Sequence, residues 1–177
     1  MATHKLFIAG SGGQGILLMG QILTYGAMHE DLEASFLPSY GPEMRGGTAN
    51  CTVVVSDKPI SCPLIYEADA LVAMNLPSML RFEPLLKRGG KLFLNTTLIE
   101  ERPKRSDIEV IDVAANQIAM ELGNAKAANI VMLGALIRET GVLQPKSIEY
   151  VLENKVFHGK KASLLPLNLQ AFHAWQR

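Results

Sequence analysis

Lys5-Leu6-Phe7-Ile8-Ala9-Gly10-Ser11-Gly12-Gly13-Gln14-Gly15 is the stretch that decides the fold. An apolar run short enough for a buried strand breaks into a glycine-rich turn. Beyond the turn Ile16, Leu17, Ile22 and Leu23, with Met19 near them, recur at helical spacing to about Met28. Strand, glycine turn and helix in that order open an α/β domain. Gly10, Gly12 and Gly15 also satisfy G-x-G-x-x-G, the spacing that lets a backbone wrap a pyrophosphate at a helix N-terminus.

A dinucleotide site needs a second anchor, an acidic residue at the far end of the next strand, to bind a ribose hydroxyl. The next strand is Glu33 to Leu37, stopped by Pro38, and Glu30, Asp31 and Glu33 come before it or at its start. Its far end is Leu37-Pro38-Ser39-Tyr40, so a free-standing NAD(P)- or FAD-binding protein is the weaker alternative. A P-loop is excluded because no Gly-Lys-Ser/Thr follows the turn. Two roles stay open for Gly10, Gly12, Gly13 and Gly15: a tight, closely packed turn, or a loop that touches a ligand phosphate or a partner subunit. Gln14 would add two amide donors and a carbonyl to such contacts.

Outward from this unit the chain keeps an α/β rhythm. Thr48 to Ser56 is strand-like, and it follows its predecessor too closely for a helical crossover, so an antiparallel strand is expected. Ala70 to Met74 and Lys91 to Asn95 read as buried parallel strands, with a helix from about Pro77 to Leu86 between them. Glu109 to Val113 is the last strand. Helical patterns follow at about Asn116 to Leu122, Ala125 to Glu139, Lys146 to Glu153 and Leu167 to Trp175. The expected architecture is a single α/β domain over residues 1–177, Rossmann-like, with one doubly wound, mainly parallel sheet covered by helices on both faces.

Composition narrows the function. At 177 residues and 48% hydrophobic there is material for one well-filled core. The 17 basic and 17 acidic side chains cancel, so no positive field gathers nucleic acid. No segment has the apolar length to cross a bilayer or the build of a signal peptide, and a cytoplasmic location is expected. Cys51 and Cys62 cannot supply four thiolates and read as core or interface residues. His4, His29, His158 and His173 are scattered and read as surface or helix-end groups. Met74, Met79, Met120 and Met132 read as core or subunit contacts.

The second glycine-rich segment, Tyr40-Gly41-Pro42-Glu43-Met44-Arg45-Gly46-Gly47, is the densest loop signal in the chain. Tyr40 offers a ring with a polar tip, and Arg45 a planar cation suited to carboxylate or phosphate. Glu43 would pair with Arg45 or hold a partner's cation; otherwise the two are an ordinary solvated pair worth under ~1 kcal/mol. Asn75 stands at the C-terminal edge of a parallel strand, where open α/β sheets bind ligands, and is either a turn cap or a ligand contact. Asn129 lies on an apolar helix and needs a hydrogen-bond partner if buried.

Together, Gly10 to Gly15 and Tyr40 to Gly47 resemble the γ subunit of 2-oxoacid:ferredoxin oxidoreductases, the family of the pyruvate, 2-oxoisovalerate and 2-oxoglutarate enzymes. The likeness continues through Ser56-Asp57-Lys58-Pro59-Ile60, Ala68 to Asn75, Glu121-Leu122-Gly123-Asn124, Asn129 to Ala135 and Leu167 to Phe172. Pro42 to Asn50 and Ala73-Met74-Asn75-Leu76-Pro77-Ser78 look most like the 2-oxoglutarate branch. The resemblance implies a subunit without redox equipment. Thiamine diphosphate, magnesium and iron–sulfur clusters would lie on α, β and δ partners, coenzyme A would accept the acyl group, and ferredoxin the electrons. It also implies that Gly10, Gly12, Gly13, Gln14, Gly15, Tyr40, Gly41, Pro42, Glu43, Arg45, Gly46, Gly47 and Asn75 serve cofactor or subunit contacts, with no catalytic residue and no metal ligand on this chain. An isolated copy is expected to pair with itself through surfaces meant for other subunits.

Overall fold

Phe7 and Ala9 face one way and Leu6 and Ile8 the other, as period-two side-chain alternation requires, and all four are buried. A strand apolar on both faces belongs inside a covered sheet. The computed structural model, which describes residues 3–39 and 47–177, places it there. Six strands form one mixed sheet: β1 (His4–Ser11), β2 (Glu33–Ser39), β3 (Thr48–Ser56), β4 (Ala68–Ala73), β5 (Leu86–Asn95) and β6 (Glu109–Val113). Their spatial order is β2-β3-β1-β4-β5-β6. Three of the five pairings are parallel, β1 with β4, β4 with β5 and β5 with β6. β3 runs antiparallel to both its neighbours, as its short connection to β2 requires.

The helices are α1 (Ile16–His29), α2 (Leu76–Phe82), α3 (Ala115–Glu121), α4 (Ala128–Thr140), α5 (Pro145–Val151) and α6 (Leu165–Ala174). They cover the two faces unequally. On one face Leu6, Ile8, Val53, Val72, Phe93 and Ile111 join a large core with residues of α1, α3, α4, α5 and α6. On the other, Phe7, Ala9, Leu71, Ala73, Leu92 and Leu94 pack, among the described residues, with Met79 and Phe82 of α2 and with residues outside the helices such as Ile65 and Ile99. α4 is the central helix: every residue from Ala128 to Ile137 is buried. Gly134 lets α6 reach it, since a Cβ there would stand 1.9 Å from the Phe172 carbonyl oxygen.

Several boundaries differ from the sequence expectation, each for a physical reason. β2 continues through Pro38 to Ser39 because it is an edge strand, where a missing N–H breaks no necessary ladder bond. α2 ends at Phe82 and passes into a short 3₁₀ turn, Glu83–Leu85, because Pro84 removes a donor. β5 starts at Leu86 rather than Lys91. Between Leu86, opposite Ala68, and Lys91, opposite Ala70, a bulge absorbs the extra residues, with Gly89 at φ 74°. α5 is followed by a π-helical turn at Leu152–Val156.

Candidate functional site

β1, β4 and β5 all end at the same edge of the sheet, the edge where parallel α/β folds place their ligands. The turn from β1 into α1 shapes that edge. Gly13 and Gly15 have φ of 89° and 72°, left-handed values that suit glycine. A Cβ on Gly10 would lie 2.6 Å from Gln14 Oε1 and 2.9 Å from Met74 Cβ, so close packing demands glycine there. One on Gly15 would lie 2.2 Å from Asn129 Nδ2, whereas one on Gly13 would meet nothing within 4 Å. Gly10 and Gly15 are therefore packing glycines. Gly12 and Gly13 are exposed at the tip.

Gln14 is folded back into the turn: its Oε1 accepts from the Ser11 N–H at 2.7 Å, and its Nε2 donates to the Met74 carbonyl at 3.2 Å. That carbonyl is shared. Asn95, fully buried at the end of β5, donates from Nδ2 to Met74 O at 3.1 Å and to Asn116 Oδ1 at 2.8 Å. The chain Gln14–Met74–Asn95–Asn116 thus ties together the C-terminal ends of β1, β4 and β5 and the start of α3. Across the turn, Asn129 Nδ2 donates to the Gly15 carbonyl at 3.4 Å. The partner that a buried Asn129 requires is therefore the glycine turn.

Two clefts adjoin the turn. One, of about 180 Å³, is lined by Gly13, Gln14, Met74, Asn116, Lys126 and Asn129, among others. The second, of about 400 Å³, shares Gly13, Lys126 and Asn129 and continues along Leu18, Phe157 and Leu164. Among the described residues, no aspartate or glutamate lines either cleft. Asn95, Asn116 and Lys126 join the site from positions that no sequence motif marks. Asn95 had a positional signal, since it closes a parallel strand; Lys126 and Asn116 had none.

Asn75 caps α2, its Oδ1 accepting from the Ser78 N–H at 3.0 Å. Tyr40, Gly41, Pro42, Glu43, Met44, Arg45 and Gly46 lie outside the described residues. Their anchors lie at this same end of the sheet: Ser39 pairs with Asn50, Thr48 pairs with Ser11, and the Gly12 N–H reaches the Gly47 carbonyl at 3.4 Å.

The cysteines and histidines lie elsewhere. Cys51 is buried in β3, and burial pushes its thiol up to about 12; Cys62 is exposed. His29 stacks on Tyr150 with ring centroids 4.0 Å apart, and His173 Nε2 sits 2.7 Å from Glu149. Met74, Met79 and Met132 are core residues, while Met120 is exposed. Among the described residues no group of three or more His, Cys, Asp or Glu is placed to hold a metal ion, and no helix is long and apolar enough to cross a membrane.

The dinucleotide alternative gains no support. β3 lies between β1 and β2, so the end of β2, where a ribose-binding acid would stand, is two strand spacings or about 10 Å from β1. A doubly wound sheet with a closely packed glycine turn and a donor-lined edge defines instead a class of α/β domain built to present that edge. The pyruvate ferredoxin/flavodoxin oxidoreductase family model matches residues 5–174, and the chain belongs to that family. The 2-oxoglutarate synthase subunit KorC of Methanothermobacter marburgensis is 36% identical over 177 residues, covering 96% of this chain and 93% of the relative. The chain spans 28% and 36% of the length of two ketoisovalerate oxidoreductase subunits, both VorA, from Methanothermobacter marburgensis and Methanothermobacter thermautotrophicus. Among solved structures, the γ subunit of a keto/oxoacid ferredoxin oxidoreductase from Geobacter sulfurreducens superposes with a TM-score of 0.86 at 28% identity, over 97% of this chain and 93% of that one. A 2-oxoglutarate:ferredoxin oxidoreductase from Magnetococcus marinus, solved with 2-oxoglutarate, coenzyme A and succinyl-CoA, gives 0.89 at 23% identity, over 98% of this chain and 30% of that one, and so shares the fold.

Proposed function

We propose that residues 1–177 act as one γ-type domain, the non-redox subunit of a cytoplasmic 2-oxoacid:ferredoxin oxidoreductase, with 2-oxoglutarate as the favoured substrate. The observation that carries this is the end-to-end match to a KorC subunit of nearly the same length. α, β and δ partners would carry thiamine diphosphate, magnesium and the iron–sulfur clusters. They would decarboxylate the oxoacid and pass electrons to ferredoxin, and coenzyme A would take the acyl group. This chain would dock on them by the edge that bears Gly12 and Gly13, with residues 40–47 as further candidate contacts, and would offer that edge to coenzyme A.

The geometry gives such a role a physical basis. A surface that must meet other polypeptides without losing shape needs a locked backbone. Gln14, Asn95 and Asn129 lock this one from three elements. Its tip, Gly12 and Gly13, has no side chain to bar close approach of another backbone or a ligand.

Reconstitution tests the proposal. The chain alone should not turn over 2-oxoglutarate with coenzyme A and ferredoxin, and activity should appear when the co-purifying partners are added. Full activity of the partners without this chain, or turnover by the chain alone, would refute it. Arg45→Ala should lower complex activity or assembly; if both were unchanged, the Tyr40–Gly47 loop would have no part in the function.

A further inference from the structure

α4 and α6 meet backbone to backbone at Gly134 and Phe172, where a Cβ on the glycine would stand 1.9 Å from the Phe172 carbonyl oxygen. Helices that cross at one close point diverge beyond it. The wedge left past this crossing is closed by the turn from α4 into α5. It forms a cavity of about 300 Å³, the lower end of the roughly 300–1,000 Å³ typical of small-molecule sites. Buried Ile137, Leu143 and Phe172 supply its apolar floor, and the exposed Arg138, Gln144 and His173 its mouth. From Asn129, which serves the glycine turn, to Arg138 is roughly 14 Å along α4.

The titratable groups of the lining, Arg138 and His173, are both bases, and among the described residues no aspartate or glutamate lines the space. Acids on neighbouring segments are taken up elsewhere. Glu149 Oε1 lies 2.7 Å from His173 Nε2, Glu30 Oε1 accepts from the Gln144 N–H at 2.6 Å, and Glu139 pairs with Arg177 at 3.1 Å and with Lys91 at 3.8 Å. Arg138 makes no hydrogen bond or ion pair among the described residues. With Glu149 on Nε2, His173 keeps Nδ1 for a ligand, a donor when the ring is charged. A guanidinium fork matches the two coplanar oxygens of a carboxylate. The floor beside it suits hydrocarbon.

We propose that this cavity binds a small monocarboxylate with a compact hydrocarbon body, its carboxylate held by Arg138 and His173 and its body laid over Ile137, Leu143 and Phe172. One fork calls for one carboxylate. An inorganic anion would satisfy the bases and leave the floor unused, and a neutral molecule of the same shape would do the reverse. The bound acid would join α4, α6 and the start of α5, and so raise the melting temperature by mass action.

Calorimetry and thermal denaturation of the full chain test this, with 4-methylpentanoate, 4-methylpentanamide, acetate and inorganic phosphate as separate titrants. 4-Methylpentanoate should bind and stabilise, and the amide and acetate should each bind about tenfold more weakly or worse. Arg138→Ala should weaken 4-methylpentanoate about tenfold while the melting temperature of the free protein stays unchanged. Arg138→Lys should recover only part of the affinity, because an ammonium group lacks the fork. Gln144→Trp sets a ring in the mouth and should abolish binding, and Lys104→Ala, exposed and outside the lining, should change nothing. The site is overturned if the amide binds as well as the acid, if Arg138→Ala leaves the affinity unchanged, if phosphate outcompetes 4-methylpentanoate, or if 4-methylpentanoate fails to bind at millimolar concentration.

Discussion

Gly15→Ala should destabilise the protein well beyond Gly13→Ala, although both glycines are left-handed and lie two residues apart in one turn. Gly13 has φ 89° with no atom within 4 Å of an added Cβ, so alanine there meets only the left-handed penalty, about 1–2 kcal/mol. At Gly15, φ is 72° and the added Cβ would fall 2.2 Å from Asn129 Nδ2 and 2.8 Å from its Cγ. Asn129 must then rotate away and lose its bond to Gly15 O. It is 5% exposed, so its amide loses a partner where water hardly reaches, an extra cost of about 1–3 kcal/mol. For a chain of this size each kcal/mol moves the melting temperature by about 2–4 °C. Thermal denaturation should place Gly15→Ala about 2–12 °C below Gly13→Ala. Adding Asn129→Ala to Gly15→Ala removes the clash, so the two costs should fall short of additive by about 1 kcal/mol or more. Equal melting temperatures for the two glycine variants, or strict additivity in the cycle, would refute the claim that α4 sets the shape of this turn.

Gly134→Ala should be far more damaging, because the added Cβ would stand 1.9 Å from the Phe172 carbonyl oxygen, a backbone atom that cannot rotate aside. A loss above about 4 kcal/mol is expected, read as a collapse in soluble yield or melting temperature. Cys62 should alkylate rapidly in the native protein and Cys51 only on unfolding, which mass spectrometry of the labelled chain would show as one adduct before denaturant and two after. Burial holds the folded Cys51 thiol up to about 12, above its ordinary value of 9.0, so the folded state keeps a proton that the unfolded state releases in between. Its contribution is intact below about pH 9 and is lost as the pH rises toward 12. Urea midpoints at pH 8 and pH 10 should therefore fall more for the wild type than for Cys51→Ala.

Local patterning was enough for the strand–turn–helix unit, the two-sided burial of β1, β4 and β5, and the antiparallel course of β3. Each of these is written in neighbouring residues: period two or 3.6, a glycine run, a connection too short for a helix. The glycines at positions 10 and 15 could be recognised as special, yet not explained. Their reasons are Met74 and Asn129, which approach from 64 and 114 residues away along the chain. Pro38 reads as a stop because proline cannot serve a central strand; only the pairing order shows that its strand lies at the edge.

Side-chain periodicity is a local property, so residue order alone dictates which faces of which segments must leave water, and with that the α/β class. Tertiary structure alone decided that β3 separates β1 from β2, which removes the geometry of a dinucleotide site. It also decided that Gln14, Asn116, Lys126 and Asn129 converge on one edge. Strand order and the meeting of distant polar groups depend on how covered surfaces fit one another in space, and residue spacing along a chain carries no record of that fit.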